Sequence, residues 1–188
     1  MIFTVSVPVK LYVKRFLENN YGDPINFNRH QREKEFFYRM LKKPIRHYDT
    51  KYNDDMNRFK TFVHVEISES CFYRHGWELS RTDTIAFGKH FERNAKMLMR
   101  TIIGTYISFG MPVNIAITNF QQRFKMEEEY WSFDSIQKDF LRFRSHNNIN
   151  FNQYAFCHLE RLILLNMANV GVLTKSLVAN LNATTIIE

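Results

Sequence analysis

Residues 82–109 read TDTIAFGKHFERNAKMLMRTIIGTYISF, and their spacing decides the fold. Phe87, Phe91, Ala95, Leu98, Ile102 and Tyr106 recur every three or four positions, which is the apolar stripe of one long helix. Thr82 or Thr84 is its expected cap, and Gly110 with Pro112 ends it.

Downstream the chain reads as helical throughout. Helices are expected at 114–124, from Ser132 or Asp134 to about 144, and at 151–168, with a short closing segment at 175–181. Glu127–Glu129 marks a break, and 145–150 reads as a polar loop. Ser68 or Ser70 opens a short helical turn that stops at Gly76.

Upstream the period changes from helical to alternating. Val5, Val7 and Val9 alternate with Thr4, Ser6 and Pro8, and Val63, Val65 and Ile67 alternate with His64 and Glu66. Two half-buried strands of this kind pair most simply as an antiparallel sheet, and 25–27 could add a short third strand. Between them lie a helix at 10–20 and a second at 29–43, capped by Asn28 and stopped by Pro44. The polar stretch 47–58 reads as a loop. The expected class is α+β, mainly helical with a small N-terminal antiparallel sheet. Residues 1–68 form a basic α/β part, and 69–188 a helical part joined to it in one compact domain.

Composition narrows the function classes. The 188 residues are 45% hydrophobic and 15% aromatic, ample for a packed core, while six glycines and four prolines are too few for a turn-rich sandwich or barrel. The net charge is +7, concentrated early: residues 1–60 hold 13 basic and 7 acidic side chains, and 61–188 hold 13 and 12. Such a bias suits a polyanionic partner. Cys71 and Cys157 form neither a disulfide framework nor a zinc motif and read as buried free thiols. Residues 1–10 lack a secretory h-region and no apolar run reaches membrane-spanning length, so a cytoplasmic protein with no membrane partner is expected.

No phosphate loop, dinucleotide fingerprint, nucleophile elbow or paired metal-binding histidines occur, so no catalytic residue, metal or cofactor is expected. Asp83, His90 and Glu92 are the nearest local set of titratable groups, but Asp83 and His90 point to different helix faces. Trp77 and Trp131 read as packing anchors, and Met97 and Met99 as core filling.

The informative feature is charge on the long helix. Lys89, Arg93, Lys96 and Arg100 fall within about 60° of one another along roughly 16 Å of axis, almost opposite the apolar stripe. With no acidic residue on that line, they read as a row of solvent-facing cations suited to nucleic-acid phosphates. An ordinary solvated helix face carries lysine and arginine too. The second helix repeats the pattern with Arg32, Arg39, Lys43 and Arg46, beside Arg29 and Lys42. The helices around 114–144 resemble a helix-turn-helix pair whose second member shows Gln137, Lys138, Arg142 and Arg144 outward, for base edges and phosphates of DNA. Their connection, 125–131, is longer than the usual turn and lacks its glycine.

Val7-Pro8-Val9-Lys10-Leu11-Tyr12-Val13-Lys14-Arg15-Phe16-Leu17, followed by Tyr21-Gly22-Asp23-Pro24, resembles the start of uncharacterised small basic proteins of bacterial mobile elements. Phe120-Gln121-Gln122-Arg123-Phe124 and Trp131-Ser132-Phe133-Asp134-Ser135-Ile136 are similar to their later part. The resemblance implies a phage or conjugative-transposon setting and carries no catalytic residue. The expected function is non-enzymatic nucleic-acid binding. The alternative is a structural or packaging protein whose basic faces meet acidic protein partners.

Overall fold

The computed structural model describes residues 2–43 and 61–147. The expected features at 47–58, 151–168 and 175–181, with Pro44, Arg46 and Cys157, lie outside the described residues. The elements are β1 (Ile2–Val9), α1 (Leu11–Tyr21), α2 (Gln31–Met40), β2 (Leu41–Lys42), β3 (Thr61–Ser68), α3 (Glu69–His75), β4 (Glu78–Leu79), α4 (Arg81–Ser108), α5 (Val113–Arg123) and α6 (Phe133–Asn147). The fold is α+β and mainly helical, with a small N-terminal antiparallel sheet.

Alternation builds that sheet as expected. β1 and β3 pair antiparallel with Val5 opposite Val65 and Val7 opposite Val63, and this valine face is buried. Pro8, on the other face, is buried as well. The third strand shrinks to one residue: Ile25 donates its N–H to the His64 carbonyl at 2.7 Å and accepts from the Glu66 N–H at 2.9 Å.

Two further expectations need correction. α2 begins at Gln31 rather than Arg29: His30 stands at its N-cap position, with no side-chain cap hydrogen bond, and Asn28 lies in the preceding turn, its N–H bound by the Asn26 side chain at 2.9 Å. The chain after Ser68 is not wholly helical, since β4 pairs with β2, Leu41 opposite Leu79 and Lys42 opposite Glu78. Gly76 makes this ladder possible. Its φ is +96°, and a Cβ there would lie 2.2 Å from the Lys42 carbonyl oxygen.

Helix α4 crosses the molecule and touches β1, β4, α1, α5 and α6. Ser80 caps it, accepting the Asp83 N–H at 3.2 Å. Its buried line is Phe87, Phe91, Ala95, Met99 and Ile103, while Leu98, Ile102 and Tyr106 are only half-buried flanks. Steps of four overshoot a 3.6-residue turn by about 40°, so this line winds around the helix and meets different neighbours along its length. Phe87 and Phe91 anchor an aromatic cluster, with Phe37 5.6 Å from Phe87 and Phe27 5.8 Å from Phe91 between ring centres. Met99 fills the core, but Met97 is 60% exposed and does not.

Ala116, Ile117 and Phe120 bury the inner side of α5, and Ile136 and Phe140 that of α6. α6 continues to Asn147, through part of the stretch expected to be loop. No helix among the described residues is long and apolar enough to cross a membrane.

Gly76→Ala is expected to destabilise the protein by on the order of 3 kcal/mol, through both the left-handed backbone and the collision with β2. Gly88→Ala, in α4 with open space around the added methyl, is expected to be neutral or to stabilise by about 0.5–1 kcal/mol. Urea denaturation of the two variants checks both values.

Candidate nucleic-acid interface

The four cations of α4 do not form one free row. Lys89 and Arg93 are exposed and have no ion-pair partner among the described residues. Lys96 and Arg100 are drawn into the fold. Asp139 of α6 takes Arg100 at 2.6 Å (Nη2) and 2.8 Å (Nε) on one oxygen, and Lys96 at 3.5 Å on the other. Lys96 also meets Glu92, one turn earlier, at 3.0 Å. The guanidinium of Arg100 lies 4.5 Å from the centre of the Phe143 ring. A carboxylate therefore does reach the stripe from within α4 itself, and a second reaches it from α6.

Glu92 extends the network to the N-terminal part. It accepts the Tyr12 hydroxyl at 2.7 Å and pairs with Lys10 at 2.9 Å. Tyr12 in turn stacks on the buried Trp131, ring centres 4.4 Å apart. Burial works to raise the Glu92 pKa, but hydrogen bonds from Lys10, Tyr12 and Lys96 outweigh it and hold the carboxyl at about 2. Burial, then the bond to Glu92, pushes the Tyr12 hydroxyl well above its ordinary value, so it stays a neutral donor.

What remains free on α4 faces α2. Phe36 lies against His90 with ring centres 4.3 Å apart, Phe37 meets Phe87, and Lys42 pairs with Asp83 at 2.8 Å. Residue numbers rise on α2 as they fall on α4, so the two helices run antiparallel. Arg32 and Arg39 sit one turn either side of Phe36, while Lys89 and Arg93 flank His90. The contact thus gathers four exposed cations, with Arg29 just ahead of α2. Glu33 and Glu35 are the carboxylates of this helix, and Glu35 is held by Gln31 at 2.7 Å. Burial lowers the His90 pKa, Arg93 pushes the same way and Glu33 opposes them. His90 is therefore a neutral spacer at pH 7, and the charge of the face comes from arginine and lysine alone.

The candidate helix pair is also rearranged. Gln137, expected outward, is half-buried and reaches the Asn114 side chain of α5 at 3.4 Å. Gln121 binds the Trp131 carbonyl at 2.9 Å. These contacts show α6 returning along α5, across a connection of nine residues, 124–132. The acidic patch in that connection has a structural use: Glu128 accepts the Phe133 N–H at 2.8 Å and so caps α6. Lys138, Arg142 and Arg144 are exposed on α6.

The local set Asp83, His90 and Glu92 does not converge. Asp83 is engaged by Lys42 and Ser80, with a lowered pKa, Glu92 belongs to the network with Lys10, and His90 packs on Phe36. No group of three or more metal-ligating side chains occurs among the described residues. Comparison with known proteins gives no family model, no curated relative and no solved structure that matches this chain.

The depressed pKa of Glu92 sets a pH dependence. Its stabilising contribution is fully present above its ordinary value of 4.5 and is lost as pH falls through about 2. Glu92→Gln is expected to lower stability at pH 7 by on the order of 2 kcal/mol, with the gap from wild type closing by pH 2. Denaturant titrations at pH 7, 4 and 2 read that gap, and a gap independent of pH would contradict the assignment.

Proposed function

We propose that this chain is a non-enzymatic nucleic-acid-binding protein that holds the phosphate backbone on a face shared by α2 and α4. The observation that carries this reading is the set Arg32, Arg39, Lys89 and Arg93. All four are exposed, have no ion-pair partner among the described residues, and are gathered by the Phe36–His90 contact. Fixed cations on two packed helices match the regular spacing of phosphates, and each neutralised phosphate releases counterion. Lys96 and Arg100 leave the contact set and act in the fold. Lys138, Arg142 and Arg144 extend the proposed contact onto α6. A cytoplasmic setting and a mobile-element origin belong to the same proposal. A buried free thiol at Cys71 supports the first, and the sequence resemblance the second.

A second reading, a structural or packaging protein acting through protein contacts, is favoured by a different surface. Phe109 is 68% exposed and Ile115 is 51% exposed, close in sequence around the α4–α5 turn.

With about four phosphate contacts on the α2–α4 face and up to three more on α6, the logarithm of duplex affinity should fall with the logarithm of salt concentration at a slope of about −4 to −6. Reversing Arg32 and Arg93 together (Arg32→Glu, Arg93→Glu) should reduce the slope by about 2 and weaken binding more than tenfold. Fluorescence anisotropy across a salt series measures both. Binding that is salt-independent or undetectable overturns the proposal. Stable self-association in its place would favour the packaging reading.

A further inference from the structure

Beside the β2–β4 ladder, near the far end of α2, an aromatic stack runs from the edge of the core to the surface. Phe3 lies on one face of Phe72, with ring centres 4.2 Å apart and planes 17° apart, and Trp77 lies on the other at 4.3 Å and 6°. Three near-parallel rings thus form a short column that ends at Trp77, whose side chain is 40% exposed. Tyr73, set edge-on to Phe72, is 64% exposed beside it. The main chain that carries the indole is fixed: the Trp77 backbone amide donates to the Lys42 carbonyl at 3.2 Å, and Gly76 sits so close to β2 that only glycine fits.

Two exposed cations lie beside the column. Arg74 lies between Tyr73 and the turn, and the Lys43 amide lies against Gly76. Both side chains are exposed and have no ion-pair partner among the described residues. Glu78, across from Lys42, and Glu69, at the start of α3, are carboxylates of the same region, and each already has a partner of its own. An apolar peptide would satisfy the rings but leave these cations unmatched. A nucleobase carries a flat π-face to continue the column and a phosphate on either side to meet Lys43 and Arg74. In a duplex the bases are stacked inside and present no such face.

We propose that Trp77, backed by Phe72 and Phe3, is a stacking platform for an unpaired nucleobase, and that single-stranded nucleic acid is the preferred ligand. The proposal rests on the nucleic-acid reading above and adds the form of the polymer. Arg39 and Lys43 continue the cationic line of α2 toward Trp77, so one strand can run from the α2–α4 face to the platform.

The test uses the full chain with a twelve-nucleotide oligothymidine, the matching oligouridine and a twelve-base-pair DNA duplex. Trp77 and the buried Trp131 are the two tryptophans, so stacking should quench fluorescence in wild type and not in Trp77→Phe, which keeps only Trp131. Trp77→Ala should weaken single-strand binding about tenfold, Trp77→Phe much less, and neither should change duplex affinity. Circular dichroism confirms that both variants are folded. Equal response to oligothymidine and oligouridine assigns the platform to either polymer, and a response to one assigns it to that one. Absence of quenching, or unchanged single-strand affinity in Trp77→Ala, overturns the platform. If the duplex still binds with its salt slope, only this inference falls. If nothing binds, the nucleic-acid reading falls with it. A Trp77-dependent dimer in sedimentation would assign the rings to a protein contact and overturn the inference as well.

Discussion

The charge network from Lys10 and Tyr12 through Glu92 and Lys96 to Asp139 and Arg100 links the two halves of the molecule. It joins the start of α1 to the middle of α4 and to α6. Its groups are 17–30% exposed along α4 and α6, shielded enough that their attraction is not lost to solvent and open enough that the cost of desolvation stays moderate. Each carboxylate is met by more than one donor. The network also decides which cations on the surface are available to a ligand, since every arginine or lysine it takes is one fewer for a polyanion.

Among the described residues, many of the cations fall into two groups. Lys10, Lys42, Lys96 and Arg100 pair across elements, and Lys14 and Arg15 meet Glu18 within α1. Arg15 also donates to the Lys125 carbonyl at 3.0 Å, tying α1 to the α5–α6 connection. The second group, Arg32, Arg39, Lys89 and Arg93, stands where α2 and α4 cross, with Lys43 and Arg74 at the end of α2. Part of the positive charge is thus gathered locally. Aromatic side chains set its position: Phe36 on His90 fixes the crossing, and Phe72 under Trp77 fixes the far end.

Much of the fold was legible from local periodicity. The alternation in β1 and β3 and the three-and-four spacing in α4 each record a single buried face, and a buried face is a property of neighbouring residues. β2 and β4 escaped because two-residue strands have no period to read, and Gly76 signals a stop without saying what lies against it. The site was legible in part. Helical geometry alone places Lys89, Arg93, Lys96 and Arg100 on one line. It does not show that Asp139, 39 residues beyond Arg100, returns to neutralise half of them. The contact of Gln137 with Asn114 is hidden for the same reason, since Asn114 lies on another helix. Trp77 packs on Phe72 as an anchor would, and that it is also 40% exposed is a property of the turn at Gly76 that local sequence does not reveal.

The division of α4 between folding and binding can be measured directly with two double variants, Lys96→Ala/Arg100→Ala and Lys89→Ala/Arg93→Ala, each assayed for unfolding free energy and for nucleic-acid affinity. The first should lower stability by about 2 kcal/mol or more and leave the affinity of the folded protein near wild type. The second should leave stability within about 0.5 kcal/mol and weaken binding at least tenfold. A Lys96/Arg100 variant as stable as wild type but unable to bind would contradict the division, because those two cations would then be serving the ligand rather than the fold.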